Sequence, residues 1–208
     1  MRIETLEIAG FAPALKGMRN PMNSWDKSDS YFTKNSDGLW FIGKEDIKLA
    51  QSLIKGGTEH CKFLRQIQVW ADFDMPRYWW SEFDTYKIGT SANSCSTMHK
   101  LLNNKNPITI ELFNCDEEDL DIAEIVINRL EQLRQLYREN KDDKLLIRAK
   151  KLLMEGFLQL RTVNLNYQTI RNIYHQRNKH RLKEEWIDVF CAWTRELPYF
   201  EQLIEYKG

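Results

Sequence analysis

The sequence predicts a mixed α/β protein, on three observations. Residues 1–9 and 157–163 alternate apolar and polar side chains, the period of a half-buried strand. Residues 44–55, 122–137 and 182–197 place apolar side chains every three to four positions, the period of a helix with one buried face. A chain of 208 residues can bury a sizeable core and is of single-domain length.

Each element follows from a local signal. Ile3, Leu6 and Ile8 mark a first strand. Residues 10–43 are rich in Gly, Pro, Asn, Ser and Asp, with isolated aromatics Trp25, Tyr31, Phe32, Trp40 and Phe41, and are expected to form one long loop serving function or an interface. Lys44 to Lys55 carries Ile47, Ala50, Leu53 and Ile54 at helical spacing, and Gly56-Gly57 supplies a stop. Cys61 to Phe73 alternates in part, and strand and helix both remain open there. Residues 77–85 are expected to be helical, with the aromatic cluster Trp70, Tyr78, Trp79, Trp80 and Phe83 forming core or a subunit contact. Pro107 to Phe113 is a short strand or the lead-in to a helix.

Cys115-Asp116-Glu117-Glu118-Asp119 opens a long helix, since acidic side chains suit the positive end of the helix dipole. Its expected buried stripe is Ile122, Val126, Leu130, Leu133 and Tyr137. The charged break 139–143 separates it from a helix over Lys144 to Met154. A strand over Phe157 to Val163 is followed by Asn166, an N-cap residue. The helix it caps carries Ile170, Ile173, Tyr174 and Arg177. A last amphipathic helix runs from Leu182 to Leu197 and stops before Pro198.

The totals exclude several classes. Thirty basic residues balance thirty acidic ones, so no net charge draws the chain to nucleic acid or to an anionic membrane, and neither is expected as a partner. No apolar run approaches the roughly 20 residues that span a bilayer, and Met1-Arg2-Ile3-Glu4 does not open a signal peptide. Cys61, Cys95, Cys115 and Cys191 are scattered without a C-x-x-C pair. No metal site is expected, and free thiols in a reducing cytoplasm are.

Chemistry concentrates in Tyr86-Lys87-Ile88-Gly89-Thr90-Ser91-Ala92-Asn93-Ser94-Cys95-Ser96-Thr97-Met98-His99. The spacing of Ser91, Asn93 and Ser96 resembles the tail of the signature R-H-R-x-x-S-x-N-x-x-S-x-R-Y of flavin-dependent thymidylate synthases. A second block, Ala149-Lys150 through Arg177, is similar to the strand-then-helix block of that family, with Asn166 opening the helix, Asn172 two turns on and Arg177 closing it. Glu185 matches the glutamate of a following family motif. The resemblance spans roughly residues 56–200 and leaves the first 55 unplaced. The chain thus resembles a divergent member with a degenerate basic head: Tyr86, Lys87 and Ile88 stand where Arg-His-Arg would be, Ser94 replaces a usual glutamate, and Met98 the closing arginine.

The resemblance implies a single thymidylate-synthase-like domain, a twisted central sheet flanked by helices, assembled as a homotetramer with sites between subunits. It implies FAD and a nucleotide, dUMP or a related pyrimidine nucleotide, as ligands. NADPH and methylenetetrahydrofolate follow only if the family reaction, in which the flavin supplies the hydride, is kept. Carried over by position, Ser91, Ser96, Lys150 and Arg177 would contact the nucleotide, and Lys87, Asn93, Asn166 and Asn172 the flavin. Hydroxyls and backbone N–H groups of such a turn can cradle an anion. Arginine adds a bidentate fork, which Lys150 replaces by a point charge.

The bland alternatives are specific. Ser91, Asn93 and Ser96 can serve their own backbone, and Arg177 on an amphipathic helix can be an ion-pair or surface residue. His99 and His175 show no metal-ligand spacing and suit polar surface or satisfied core roles, while His60 beside Cys61 can face a site. Cys95 has no neighbouring base to make it a nucleophile. Each lost charge-assisted hydrogen bond of the basic head costs on the order of 1.5–3 kcal/mol unless Lys62, Arg65, Arg77, His99 or Lys100 replaces it. Two functions follow: an enzyme methylating a pyrimidine nucleotide with a flavin hydride, or an inactive homologue that binds or sequesters a nucleotide or nucleotide-derived signal, as in a phage or its host. A purely structural assembly protein is the third.

Overall fold

The computed structural model describes residues 1–32 and 40–208. Strands β1 (Arg2–Ala9), β4 (Gln68–Pro76), β5 (Thr90–Ser94) and β6 (Leu158–Asn166) form one sheet in the order β1-β4-β6-β5. A separate two-stranded antiparallel sheet pairs β2 (Tyr31–Phe32) with β3 (Trp40–Phe41), Tyr31 opposite Phe41. Eight α-helices occur among the described residues: α1 (Phe11–Arg19), α2 (Lys44–Lys55), α3 (Arg77–Phe83), α4 (Thr97–Lys100), α5 (Leu120–Asn140), α6 (Asp143–Leu152), α7 (Tyr167–Arg177) and α8 (Ala192–Arg195). This is the α/β class expected, a sheet flanked by helices.

By contacts the chain divides into two compact units. The first holds Met1–Arg2, Phe73–Thr85 and Ala92–Thr162, and the second holds Ile3–Asp72, Tyr86–Ser91 and Val163–Gly208. In the first, Leu102, Leu130, Leu133 and Ala149 make a core between α5, α6 and the segment before them. A second knot there is aromatic: Phe73, Trp79, Trp80 and Phe83 are all buried, with Trp79 stacked on Phe83 at 4.9 Å. In the second unit Ala14, Ile67, Tyr167, Ile170, Ile173 and Ile204 are fully excluded from solvent. No helix among the described residues is long and apolar enough to cross a membrane, and all four cysteines are free thiols.

The expected loop over 10–43 is only partly a loop. Phe11–Arg19 is helical despite Pro13 and Gly17, because Phe11, Ala14, Leu15 and Met18 share one face and bury it. Pro13 falls in the first turn, where a missing N–H costs nothing. Its stretch 33–39 lies outside the described residues. The ambiguous segment from Cys61 resolves into a 3₁₀ turn (Lys62–Gln66) and then β4, whose alternate residues Val69, Ala71, Phe73 and Met75 are buried. The expected turn at 90–94 is a strand: Cys95 N–H donates to Leu160 O at 2.9 Å just beyond it, so pairing with β6 extends a segment of small polar residues. On α5 the buried face is Ala123, Ile127, Leu130, Leu133, Arg134 and Tyr137, and Ile122 is 61% exposed. The expected last helix is π-helical over Lys183–Cys191 before α8, and a further π-helical stretch, Phe200–Glu205, follows Pro198.

Candidate functional site

The nominated residues divide between the units. Asn93, Ser96 and Lys150 belong to the first, and Lys87, Ser91, Asn166, Asn172 and Arg177 to the second.

In the first unit, α3 begins directly at the end of β4, so Arg77, Trp80, Ser81 and Asp84 recur at helical spacing. On β6, Gln159 and Arg161 lie two residues apart and so point to the same face of the strand. Lys150 comes from the last turn of α6 and Thr97 from the start of α4. These side chains, with Glu155, line one cleft of about 250 Å³. Arg161 places Nη1 2.9 and 3.1 Å from the two oxygens of Asp84, and its guanidinium lies 4.0 Å over the Trp80 ring. Its Nε and Nη2 donate to Gln159 Oε1. Arg77 pairs with Glu155 at 3.2 Å.

Lys150 differs from the two arginines. Its ammonium donates to the Thr97 hydroxyl, and among the described residues no carboxylate pairs with it. The cleft therefore holds three cations against the carboxylates of Asp84 and Glu155, and the uncompensated one sits beside a hydroxyl. A dianionic phosphate entering there meets a point charge and a hydroxyl, beside two guanidiniums that Asp84, Gln159 and Glu155 already engage. Ser96 caps α4, its Oγ accepting from His99 N–H at 3.3 Å, as the bland reading expects, while also lining a neighbouring cleft. Asn93 is exposed on β5.

In the second unit Asn166 caps α7, its Oδ1 accepting from Thr169 N–H at 2.9 Å. The loop before β5 seats on this helix start. Gly89 has φ +80°, and a Cβ there would fall 2.4 Å from Thr169 Oγ1 and 2.6 Å from Asn166 Nδ2. Asn172 is exposed and accepts from Gln168 Nε2 at 3.0 Å. Lys87 and Ser91 are exposed. Arg177 donates from Nε to Tyr86 Oη at 2.7 Å, meets His180 Nε2 at 2.7 Å and lies 4.6 Å over the Trp186 ring. Tyr86, at the position of the signature's first arginine, thus holds the late-helix arginine instead of repeating its charge. Glu185 is buried.

Sequence reasoning brought Lys150 to the basic cleft and had Arg77 among its substitute cations. It missed Arg161, Asp84, Gln159 and Thr97. The period-2 reading of 157–163 already placed Gln159 and Arg161 on one face, and that was the available signal.

No protein-family model and no curated protein matches the chain. Among solved structures, it is similar to the flavin-dependent thymidylate synthase ThyX from Helicobacter pylori complexed with FAD and dUMP, with a TM-score of 0.72, 17% identity and all of both chains covered. Another crystal structure of Helicobacter pylori ThyX with FAD and dUMP gives a TM-score of 0.74 and 16% identity over 100% of this chain and 99% of that one. The likeness runs end to end and shows the fold.

Proposed function

We propose that this protein binds a pyrimidine nucleotide and grips its phosphate in the basic cleft of the first unit. The observation that carries the reading is Lys150, whose ammonium faces a hydroxyl rather than a carboxylate in a cleft also lined by Arg77 and Arg161. The shared fold supports it, because the similar structures hold dUMP and FAD. Ser96, in the same unit, extends the proposed nucleotide contacts; Ser91 and Arg177 stay proposed as nucleotide contacts by the resemblance alone, and assembly as a homotetramer belongs to the same proposal.

Flavin chemistry is the second reading, favoured by the FAD in those same structures. The residues assigned to a flavin fit it poorly. Lys87 is the one cation among them, Asn166 is committed to capping α7, and Ile88, at an arginine position of the signature, is 92% exposed. A flavin pyrophosphate carries two negative charges. Binding without turnover is therefore the first reading, and methylation with NADPH and methylenetetrahydrofolate the second.

Two measurements test them. Small molecules released on denaturing the purified protein identify the ligand, and flavin absorbance accompanies the second reading. In a thermal-shift series, a nucleotide at 100 times Kd adds about 2.7 kcal/mol to stability. Lys150→Ala removes a charge-assisted contact and raises Kd about ten- to a hundredfold. No shift with any nucleotide, or an unaltered shift in the variant, overturns the assignment.

A further inference from the structure

We infer that the phosphomonoester held by the basic cleft places the apolar face of its organic half, such as the ring of a pyrimidine base, in a second, mostly apolar cleft of the same unit. The inference rests on the phosphate reading above.

The second cleft has a volume of about 330 Å³ and shares Thr97 and Gln159 with the basic one. Leu101, Ile108, Leu112, Phe157 and Leu160 supply most of its wall, and Asp74, Lys100 and Asn104 its polar part. Leu101 and Ile108 are at the same time members of the buried core, so that wall is backed by packed side chains and cannot collapse into the space. The seam between the clefts is fixed. Thr97 takes the Lys150 hydrogen bond there, and Gln159 donates from Nε2 to Cys95 O at 3.0 Å while its Oε1 accepts from Arg161. With its oxygen engaged by a guanidinium and its nitrogen by a backbone carbonyl, the Gln159 amide is committed to positioning the seam. A phosphate at Lys150 therefore has a mostly apolar wall as adjoining room for the group it esterifies, with Asp74 and Lys100 as the charged residues of that cleft. Burial of that group against aliphatic walls is favourable in proportion to the area removed from water.

Calorimetric titration with inorganic phosphate and with phenyl phosphate separates the halves. Phenyl phosphate is expected to bind about tenfold or more tightly than inorganic phosphate. The double variant Leu112→Ala with Leu160→Ala is expected to erase that advantage and leave inorganic phosphate unchanged. Lys150→Ala is expected to weaken both probes alike. Leu160→Met, which keeps the apolar surface, is expected to retain the preference, so that loss of fold is not mistaken for loss of the subsite. Equal affinity for the two probes, or an advantage that survives in the double variant, overturns the inference. Failure of both probes to bind overturns the phosphate reading on which it stands.

Discussion

Asp46 is a carboxylate with no exposure to solvent. It accepts from Arg19 Nε at 2.6 Å, from Ser28 Oγ at 2.6 Å and from the Ser30 hydroxyl. Arg19 reaches on to Ser24 O at 3.1 Å. The pair ties α1 and α2 to the segment between Ser24 and Ser30. Asp29 in that segment accepts from the backbone N–H groups of Glu45 and Asp46, and the Glu45 bond foremost holds its carboxyl below the usual range. Removing one partner of a buried pair leaves the other charged and desolvated, which costs more than the intact pair contributes. Asp46→Asn keeps the shape and removes the charge. It is expected to lower unfolding stability by about 3–5 kcal/mol, read as a lower denaturant midpoint at unchanged slope. Nothing in the sequence announces this pair, because 27 residues separate the partners and neither belongs to a motif.

The loop of residues 86–89 and helix α7 show what an element imposes on its neighbour. Gly89 lies in the left-handed region and touches the cap residues of α7, whereas Gly57, also left-handed at φ +97°, faces open space. Gly57→Ala carries only the backbone penalty, about 1 kcal/mol. Gly89→Ala adds a clash with Thr169 and Asn166 and is expected to cost clearly more than Gly57→Ala, with the two melting temperatures compared directly. Elements whose signals are local were legible in the sequence. Helix α2 occupies the expected Lys44–Lys55 and ends at Gly56, and Asn166 caps α7 as expected. Elements made by pairing were not. Thr90–Ser94 has no strand-forming composition and becomes a strand by lying beside β6, and α1 forms because burial of one face outweighs its poor intrinsic propensity.

For the molecule as a whole, titration behaviour follows from groups in both units. In the first, Glu131 accepts from Arg134 at 2.6 and 2.7 Å and from Ile108 N–H at 2.9 Å. The Arg134 contact above all lowers its carboxyl from 4.5 to about 2. A folded value below the unfolded one contributes stability that is present above pH 4.5 and lost as pH falls toward about 2. In the second, burial and then Arg171 push the His175 imidazole below 6.5. The unfolded chain takes up that proton first, so stability declines as pH drops below 6.5. Urea melts from pH 7 to 2 are expected to show both losses. Glu131→Gln is expected to be less stable at neutral pH and to lack the lower of them, while keeping the decline below 6.5.

The sequence by itself determined the α/β class, the positions of β1, α2, α3, α6 and α7, and the Asn166 cap. These rest on periodicity and capping chemistry, both properties of contiguous residues. The tertiary structure decided the rest: that Tyr86 clasps Arg177, that Arg161 joins Asp84 and Trp80 beside Lys150, and that an apolar cleft adjoins the basic one. Each of those joins residues far apart in the chain, so it exists only once helices and strands have packed, and side-chain burial, not local propensity, selects it.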